Sequence, residues 1–349
     1  MKNTSFKLFL KRKDIEISAK RYFIDAMGAM AQGLFASLLI GTILGTIGTL
    51  TKLSVFTDMG TYAKGVSGPA MAVAIGYALK APPLVLFSLL TVGMSANTLG
   101  GAGGPLAVFF IAIISAELGK AISKETKVDI IVTPFITIAS GVLLSIGIAK
   151  YIGIAANYIG NLIMLATELQ PFLMGIVVSV LVGIVLTLPI SSAAICHAFG
   201  LVGLAGGAAL AGCCAQMVGF AFLSFRENKW GGLISQGVGT SMLQMPNIIR
   251  KPIIWLPVII TSAITGPMAT CLFKLEMNGA AISSGMGTCG FVGQIGVVEG
   301  WLNSGKQINA FDIIGLLTIS FIIPAILTPL IGMIFRKIGW ISDGDLKLD

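Results

Sequence analysis

Between Leu169 and Phe225 the chain contains no Asp, Glu, Lys or Arg, and His197 is the one residue in that run that titrates near neutrality. A water-facing domain cannot be built from such a run, because soluble surfaces carry about one charged residue in four. A membrane-spanning helix needs about 20 apolar residues. The run supplies two, 171–190 and 201–225, joined by a turn from Ser191 to Gly200. The same pattern recurs along the chain. Gly28 to Thr51 is uncharged, Gly65 to Ala116 holds only Lys80, and Ile130–Ala149, Tyr151–Thr167, Pro252–Phe273 and Ile313–Phe335 are clean. Over all 349 residues, 55% are hydrophobic and 11% charged. Lipid offers no partner to exposed backbone, so spanning segments of this length must be helices. The expected fold class is therefore all-α, a polytopic membrane protein.

The formal net charge of +8 points to topology rather than to nucleic acid. Lys and Arg fall in four clusters between apolar runs: Lys2 to Arg21; Lys120, Lys124 and Lys127; Arg226, Lys229, Arg250 and Lys251; Arg336 and Lys337. Placing all four on the cytoplasmic side follows the inward bias of basic loops. With 130–150 and 151–167 crossing out and back, this predicts eight or ten transmembrane helices and both termini cytoplasmic. The open count lies in 65–119, where Pro82-Pro83 and the Gly100–Pro105 run interrupt any helix. Residues 1–22 read as a cytoplasmic amphipathic segment. In it Phe6, Phe9, Leu10 and Ile17 face lipid, while Lys7, Lys11, Arg12 and Lys13 face phosphates. The region 23–337 reads as the transmembrane domain and 338–349 as a cytoplasmic tail.

Three stretches, uncharged except for Glu299, are too rich in Gly, Ser and Pro for ordinary spans: Asn97 to Pro105, Gly231 to Pro246 and Asn278 to Gly300. Irregular backbone inside a bilayer survives only under cover of protein or beside a water-filled cavity, and carriers place their substrates at such broken helices. Neutral amides cluster in and beside these stretches: Asn97, Gln216, Gln244, Asn247, Asn278 and Gln294. Amides donate and accept without the desolvation cost of an ion, which suits a neutral, hydroxyl-rich solute. His197 follows a Pro that ends a helix, and Glu299 precedes Trp301, a pairing of acceptor and ring face that suits a polyol. Glu117 and Lys120 are spaced for an i,i+3 ion pair. These eight residues, His197, Asn97, Gln216, Gln244, Asn247, Asn278, Gln294 and Glu299, form the expected substrate-binding set. No phosphate-binding loop, nucleophile elbow or His-Glu-x-x-His motif is present. Cys196, Cys213, Cys214, Cys271 and Cys289 read as packing residues. No catalytic residue, metal or cofactor is expected.

The segments Gly237-Val-Gly-Thr-Ser-Met-Leu-Gln-Met-Pro-Asn-Ile-Ile-Arg-Lys-Pro252 and Ser284-Gly-Met-Gly-Thr-Cys-Gly-Phe-Val-Gly-Gln294 resemble those of the EIIC-type membrane components of the bacterial sugar phosphotransferase system, in the PfoR-like branch named for the perfringolysin regulator. Arg21 to Gly33, Ser95 to Pro105 and Thr187 to Ile195 fit the same family, and the likeness runs over roughly 20–337. The resemblance implies a bacterial plasma-membrane permease, a homodimer with re-entrant hairpins that holds a sugar near the bilayer midplane. It also implies a separate EIIB protein, itself charged by EIIA, as phosphoryl donor. No EIIA or EIIB domain is read in the sequence, and no cysteine lies where a phosphocysteine could form. The protein is thus at most the membrane component of a sugar phosphotransferase. Two other readings stand beside a sugar or polyol permease: a membrane-embedded sensor or regulator that does not transport, and an ion-coupled secondary transporter.

Overall fold

The computed structural model describes residues 8–348. Among them helix is the one regular secondary structure, and the one β feature is an isolated antiparallel bridge between Gly203 and Met277. Six helices are long and apolar enough to cross a membrane. The described residues divide into two compact units, one formed by 8–38 with 62–155 and the other by 39–61 with 156–348.

Helix α1 (Arg21–Thr49) contributes its first half to the first unit and its second half to the other. After α2 (Ser54–Gly65), the first unit continues with α3 (Ser67–Ala78), α4 (Pro83–Gly100), α5 (Gly104–Ile122) and α6 (Asp129–Thr167), the last shared with the second unit. Helix α4 sits between α3, α5 and α6. Pro82 and Pro83 open α4 as its cap and first residue, where a missing N–H costs nothing. The break expected over 97–105 is short. Asn97 completes the last turn of α4, and only Gly101–Gly103 depart from it as a tight turn. Gly101, at φ 51°, makes that reversal, a conformation a side chain would disfavour.

Cations finish the helix ends of this unit. Arg21 and Lys120 are buried, and both donate to the Leu79 carbonyl, at 2.9 and 2.8 Å, just past the end of α3. A terminal carbonyl has no intrahelical partner and carries the negative end of the helix dipole. The Glu117–Lys120 pair forms at 3.0 Å, with Lys120 buried and Glu117 half-buried. The described part of the N-terminal segment is not one continuous helix. Helix covers Leu8 to Arg12, and the chain then turns through Asp14, at φ 51°, into irregular backbone. Arg12 and Lys13 engage Glu125 instead of standing free. Phe6 and Lys7 lie outside the described residues. The Arg21 guanidinium, donating at 2.9 Å, is the largest influence holding the Asp14 carboxyl below its ordinary value.

The expected pair of crossings over 130–167 is one helical run. Backbone hydrogen bonding continues through a π-helical turn at Ser145–Ala149 with no reversal. Lys150 breaks the apolar pattern in sequence but not the helix, since a long cationic side chain can extend toward a polar surface while its backbone stays helical.

In the second unit, α7 (Pro171–Thr187), the short α8 (Ser192–Ala198), α9 (Gly203–Leu223), α10 (Phe225–Ile234), α11 (Met245–Arg250), α12 (Pro252–Leu272), α13 (Val292–Asn303) and α14 (Ala310–Lys337) follow in order. Helix α9 is central and packs against α7, α12 and α14. It is apolar around its whole circumference, as a helix covered on all sides must be. Small residues set the spacing. A Cβ on Gly212 would stand 1.8 Å from the Ser179 carbonyl oxygen of α7, and one on Gly266 of α12 would stand 2.0 Å from that of Gly175. Helices meet backbone to backbone where lipid supplies no hydrophobic drive. Cys196, Cys213, Cys214 and Cys289 are buried packing residues as expected, whereas Cys271, at the outward face of α12, is exposed.

Candidate functional site

Three uncharged, irregular stretches of the second unit come together beside α9. The first connects α7 through α8 to α9. The second leaves α10 by a π-helical turn at Ser235–Gly239, extends at Thr240, and re-enters helix through a 3-10 turn at Ser241–Gln244. The third runs from Asn278 through 3-10 turns at Ala281–Gly285 and Cys289–Phe291 into α13. Hydroxyls tie them together: Ser192 Oγ donates to the Gly285 carbonyl at 2.7 Å, Ser284 Oγ to that of Leu201 at 2.6 Å, and Thr288 Oγ1 to that of Gly237. Buried irregular backbone needs such donors, since its carbonyls lack helical partners. Of the stretches singled out in the sequence, 231–247 and 278–298 meet here. Asn97 belongs to the first unit, where it lies half-buried against Gly104.

Gln216 is the fully buried polar centre of α9. Its Oε1 accepts from Trp255 Nε1 at 2.8 Å and from Thr187 Oγ1 at 3.2 Å, while Nε2 donates to Ser262 Oγ at 3.3 Å. Thr187 and Ser241 share a further hydroxyl contact at 2.8 Å, linking this network to the second irregular stretch. Both ends of the Gln216 amide are thus engaged inside the protein.

Gln244 and Asn247 belong to a second set. Gln244 Nε2 donates to Gln236 Oε1 at 2.9 Å, and Asn247 Nδ2 donates to Gln244 Oε1 at 2.9 Å. Their other hydrogens reach the backbone of residues 346 and 347: Gln244 to the Leu346 carbonyl at 2.9 Å and Asn247 to the Lys347 carbonyl at 2.8 Å. Lys251 closes the row with an ion pair to Asp345 at 2.6 Å. Burial works to raise the Asp345 carboxyl, but the Lys251 ammonium and the Ser342 backbone N–H outweigh it and hold the group below its ordinary value.

The third set lines a groove of about 350 Å³ formed by Gln294, Ile295, Val298, Glu299, Leu302 and Asn303. This size falls within the usual range for small-molecule sites, about 300–1,000 Å³. All six residues lie on one face of α13. Gln294 is 8% exposed; its Nε2 donates to Ser320 Oγ at 3.0 Å, and its Oε1 is buried with no hydrogen-bond partner. A buried acceptor left unpaired costs about 1–3 kcal/mol. The groove is lined mainly by apolar side chains, with the exposed Glu299 carboxylate and Asn303 amide at its edge, and the unpaired Gln294 Oε1 lies buried beneath that lining.

The remaining expected residues stand apart from this face. His197 is exposed in the last turn of α8, and Asn278 is exposed and donates to Glu276 at 3.0 Å. The expected side-by-side pairing of Glu299 with Trp301 does not form. Residues two apart on a helix face different ways, so Trp301 is buried, with Lys306 over its ring at 5.0 Å, while Glu299 is exposed. Asn303, four residues on from Glu299, takes the place given to Trp301, and the helical period would have found it. Gln236, Asn228 and the carbonyls of 346 and 347 carried no such signal. Among the described residues, no group of three His, Cys, Asp or Glu side chains could hold a metal.

Helices with apolar spans and uncharged breaks beside a central helix define a multi-pass membrane protein. The family model of the phosphotransferase system EIIC proteins matches residues 24–348, and the chain belongs to that family. Its membership makes it a membrane-embedded component of a sugar phosphotransferase system. No curated protein and no solved structure matches it.

Proposed function

We propose that this EIIC protein is a permease for a neutral hydroxylated solute, a sugar or polyol, and that the solute is bound along the α13 face by Gln294, Glu299 and Asn303. One observation carries the reading beyond the family: the buried Gln294 Oε1 has no partner, beneath the lining of a groove of about 350 Å³. A hydroxyl group donates to such an acceptor without bringing in a charge that would have to be desolvated. Glu299 and Asn303 engage neighbouring hydroxyls, and Ile295, Val298 and Leu302 pack against the C–H face of the ring or chain. In this reading Gln216, Gln244 and Asn247 shape the breaks that present α13, and a separate EIIB protein supplies the phosphoryl group. The test is uptake into proteoliposomes over a panel of hexoses and hexitols, with and without phosphorylated EIIB. Accumulation of at least one solute that depends on phosphorylated EIIB is expected. Absence of both uptake and thermal shift with every solute would sink the reading.

A further inference from the structure

Residues 341–348 lie in a cradle of a different character from the α13 groove. Leu346 is fully buried and Ile341 nearly so. Four neutral amides form the cradle, and three of them, Asn228, Gln244 and Asn247, bond the segment directly. Asn228 Nδ2 donates to the Leu346 carbonyl at 2.8 Å, and Asn228 Oδ1 accepts from the Leu348 N–H at 2.8 Å. Asn228 thus reads both a donor and an acceptor of the segment's backbone, just past the turn at 343–346. Gln244 and Asn247 each give one hydrogen to the next amide in the row and the other to a carbonyl of the segment. Gln236, at the inner end, is anchored by Ser224 at 2.9 Å. Cations flank the row: Lys251 pairs with Asp345 at 2.6 Å, and Arg336, paired with Glu227 at 2.7 Å, also reaches the exposed Asp343 at 2.8 Å. Gly344, at φ 92°, permits the turn that brings the Asp345 carboxylate back onto the Ser342 N–H at 2.6 Å.

The chemistry is that of a peptide site. Amide groups select main-chain carbonyls, an apolar hole takes one leucine, and two cations select two acidic residues spaced i, i+2. Without an occupant, three buried or half-buried amide groups lose their carbonyl partners at once, which favours refilling by a group of the same kind. Ordering a short segment also costs conformational entropy of the same order as a few such contacts, so occupancy is open to competition. We propose that Asn228, Gln236, Gln244, Asn247, Lys251 and Arg336 form a binding site for a short, turned acidic peptide, and that residues 341–348 occupy it in cis as a releasable latch. While seated, the latch ties α10, α11 and the end of α14 together and withholds the amides of Gln244 and Asn247 from any other polar ligand.

The test uses the protein in lipid nanodiscs and a fluorescent synthetic peptide with the sequence of residues 341–348. A variant lacking 342–349 should bind the peptide saturably and at least tenfold more tightly than the full chain, and Lys251→Ala in that variant should weaken binding severalfold. Equal binding by the two chains would overturn the proposal. Should the shortened chain fail to fold, hydrogen exchange on the full-length protein decides. Asp345→Asn should accelerate exchange within 342–348 while leaving α9 unchanged; acceleration of both together, or of neither, would show a fixed piece of the fold and not a latch. Neither readout involves a sugar, so this proposal stands or falls apart from the permease reading.

Discussion

Trp255 Nε1 donates to Gln216 Oε1 at 2.8 Å across 39 positions of sequence, joining the entry of α12 to the middle of α9. The indole and the amide each answer a polar group that burial would otherwise leave unpaired. This is the relation on which the centre of the second unit depends. Gln216→Leu strips Trp255 and Thr187 of their acceptor while keeping the volume similar. We expect destabilisation of about 1–3 kcal/mol, read as a lowered melting temperature in detergent. An unchanged melting point would show that Trp255 finds another acceptor.

Close helix approach sets the second prediction. Gly212→Ala places a Cβ where the Ser179 carbonyl oxygen stands 1.8 Å away, and backbone on both helices must move. Overpacking of this kind costs about 1–3 kcal/mol and sometimes more. Gly147→Ala, with nothing within 4 Å of the new methyl group, is the control and should be neutral or slightly stabilising. Equal melting temperatures for the two variants would contradict the α7–α9 packing.

Gln294→Leu tests the groove. The substitution keeps the size of the side chain and removes the unpaired Oε1. Solute affinity, measured by calorimetry with whichever hexose or hexitol the uptake panel identifies, should fall about tenfold, the equivalent of one lost hydrogen bond of about 1.4 kcal/mol. Gln294→Glu keeps an acceptor and should retain more affinity than Leu. Identical affinities in all three proteins would remove Gln294 from the site.

The Asp345 carboxyl predicts a pH response. Burial works to raise its pKa, but the Lys251 ammonium and the Ser342 N–H prevail, so the folded value lies below the ordinary one. The stabilisation is therefore complete above the ordinary carboxylate range, about pH 3.9, and is lost as pH falls through the lower folded value. Exchange within 342–348, corrected for the intrinsic chemical rate, should stay flat from about pH 8 to 5 and rise only below about pH 4. In Asp345→Asn the acid-induced rise should be blunted; an identical rise would assign it to another group.

What could be read from the residues follows the solvent each segment faces. Uncharged runs such as Leu169–Phe225 leave lipid-spanning helices as the one outcome in which every backbone group is satisfied, so the all-α class and most helix positions were legible. Within the stretches 231–246 and 278–300, the irregular backbone at 235–244 and 278–291 was legible for the same reason, and both parts pack against α9. The uninterrupted helix through Lys150 was not, because one charge in an apolar run marks a boundary only when the backbone also turns.

Partnership lay beyond the residue pattern. Gln216, Gln244 and Gln294 are chemically the same side chain, yet one is locked into an internal network, one holds the backbone near residue 346, and one keeps a bare acceptor beneath a groove. Helical period assigns a side chain to a face, and so could place Asn303 beside Glu299. It says nothing of what arrives from elsewhere to meet that face. Asn247 meets Lys347 across 100 residues of sequence. Such a contact comes from how whole helices pack, since an amide's hydrogens accept any carbonyl within reach and packing alone determines which one is there.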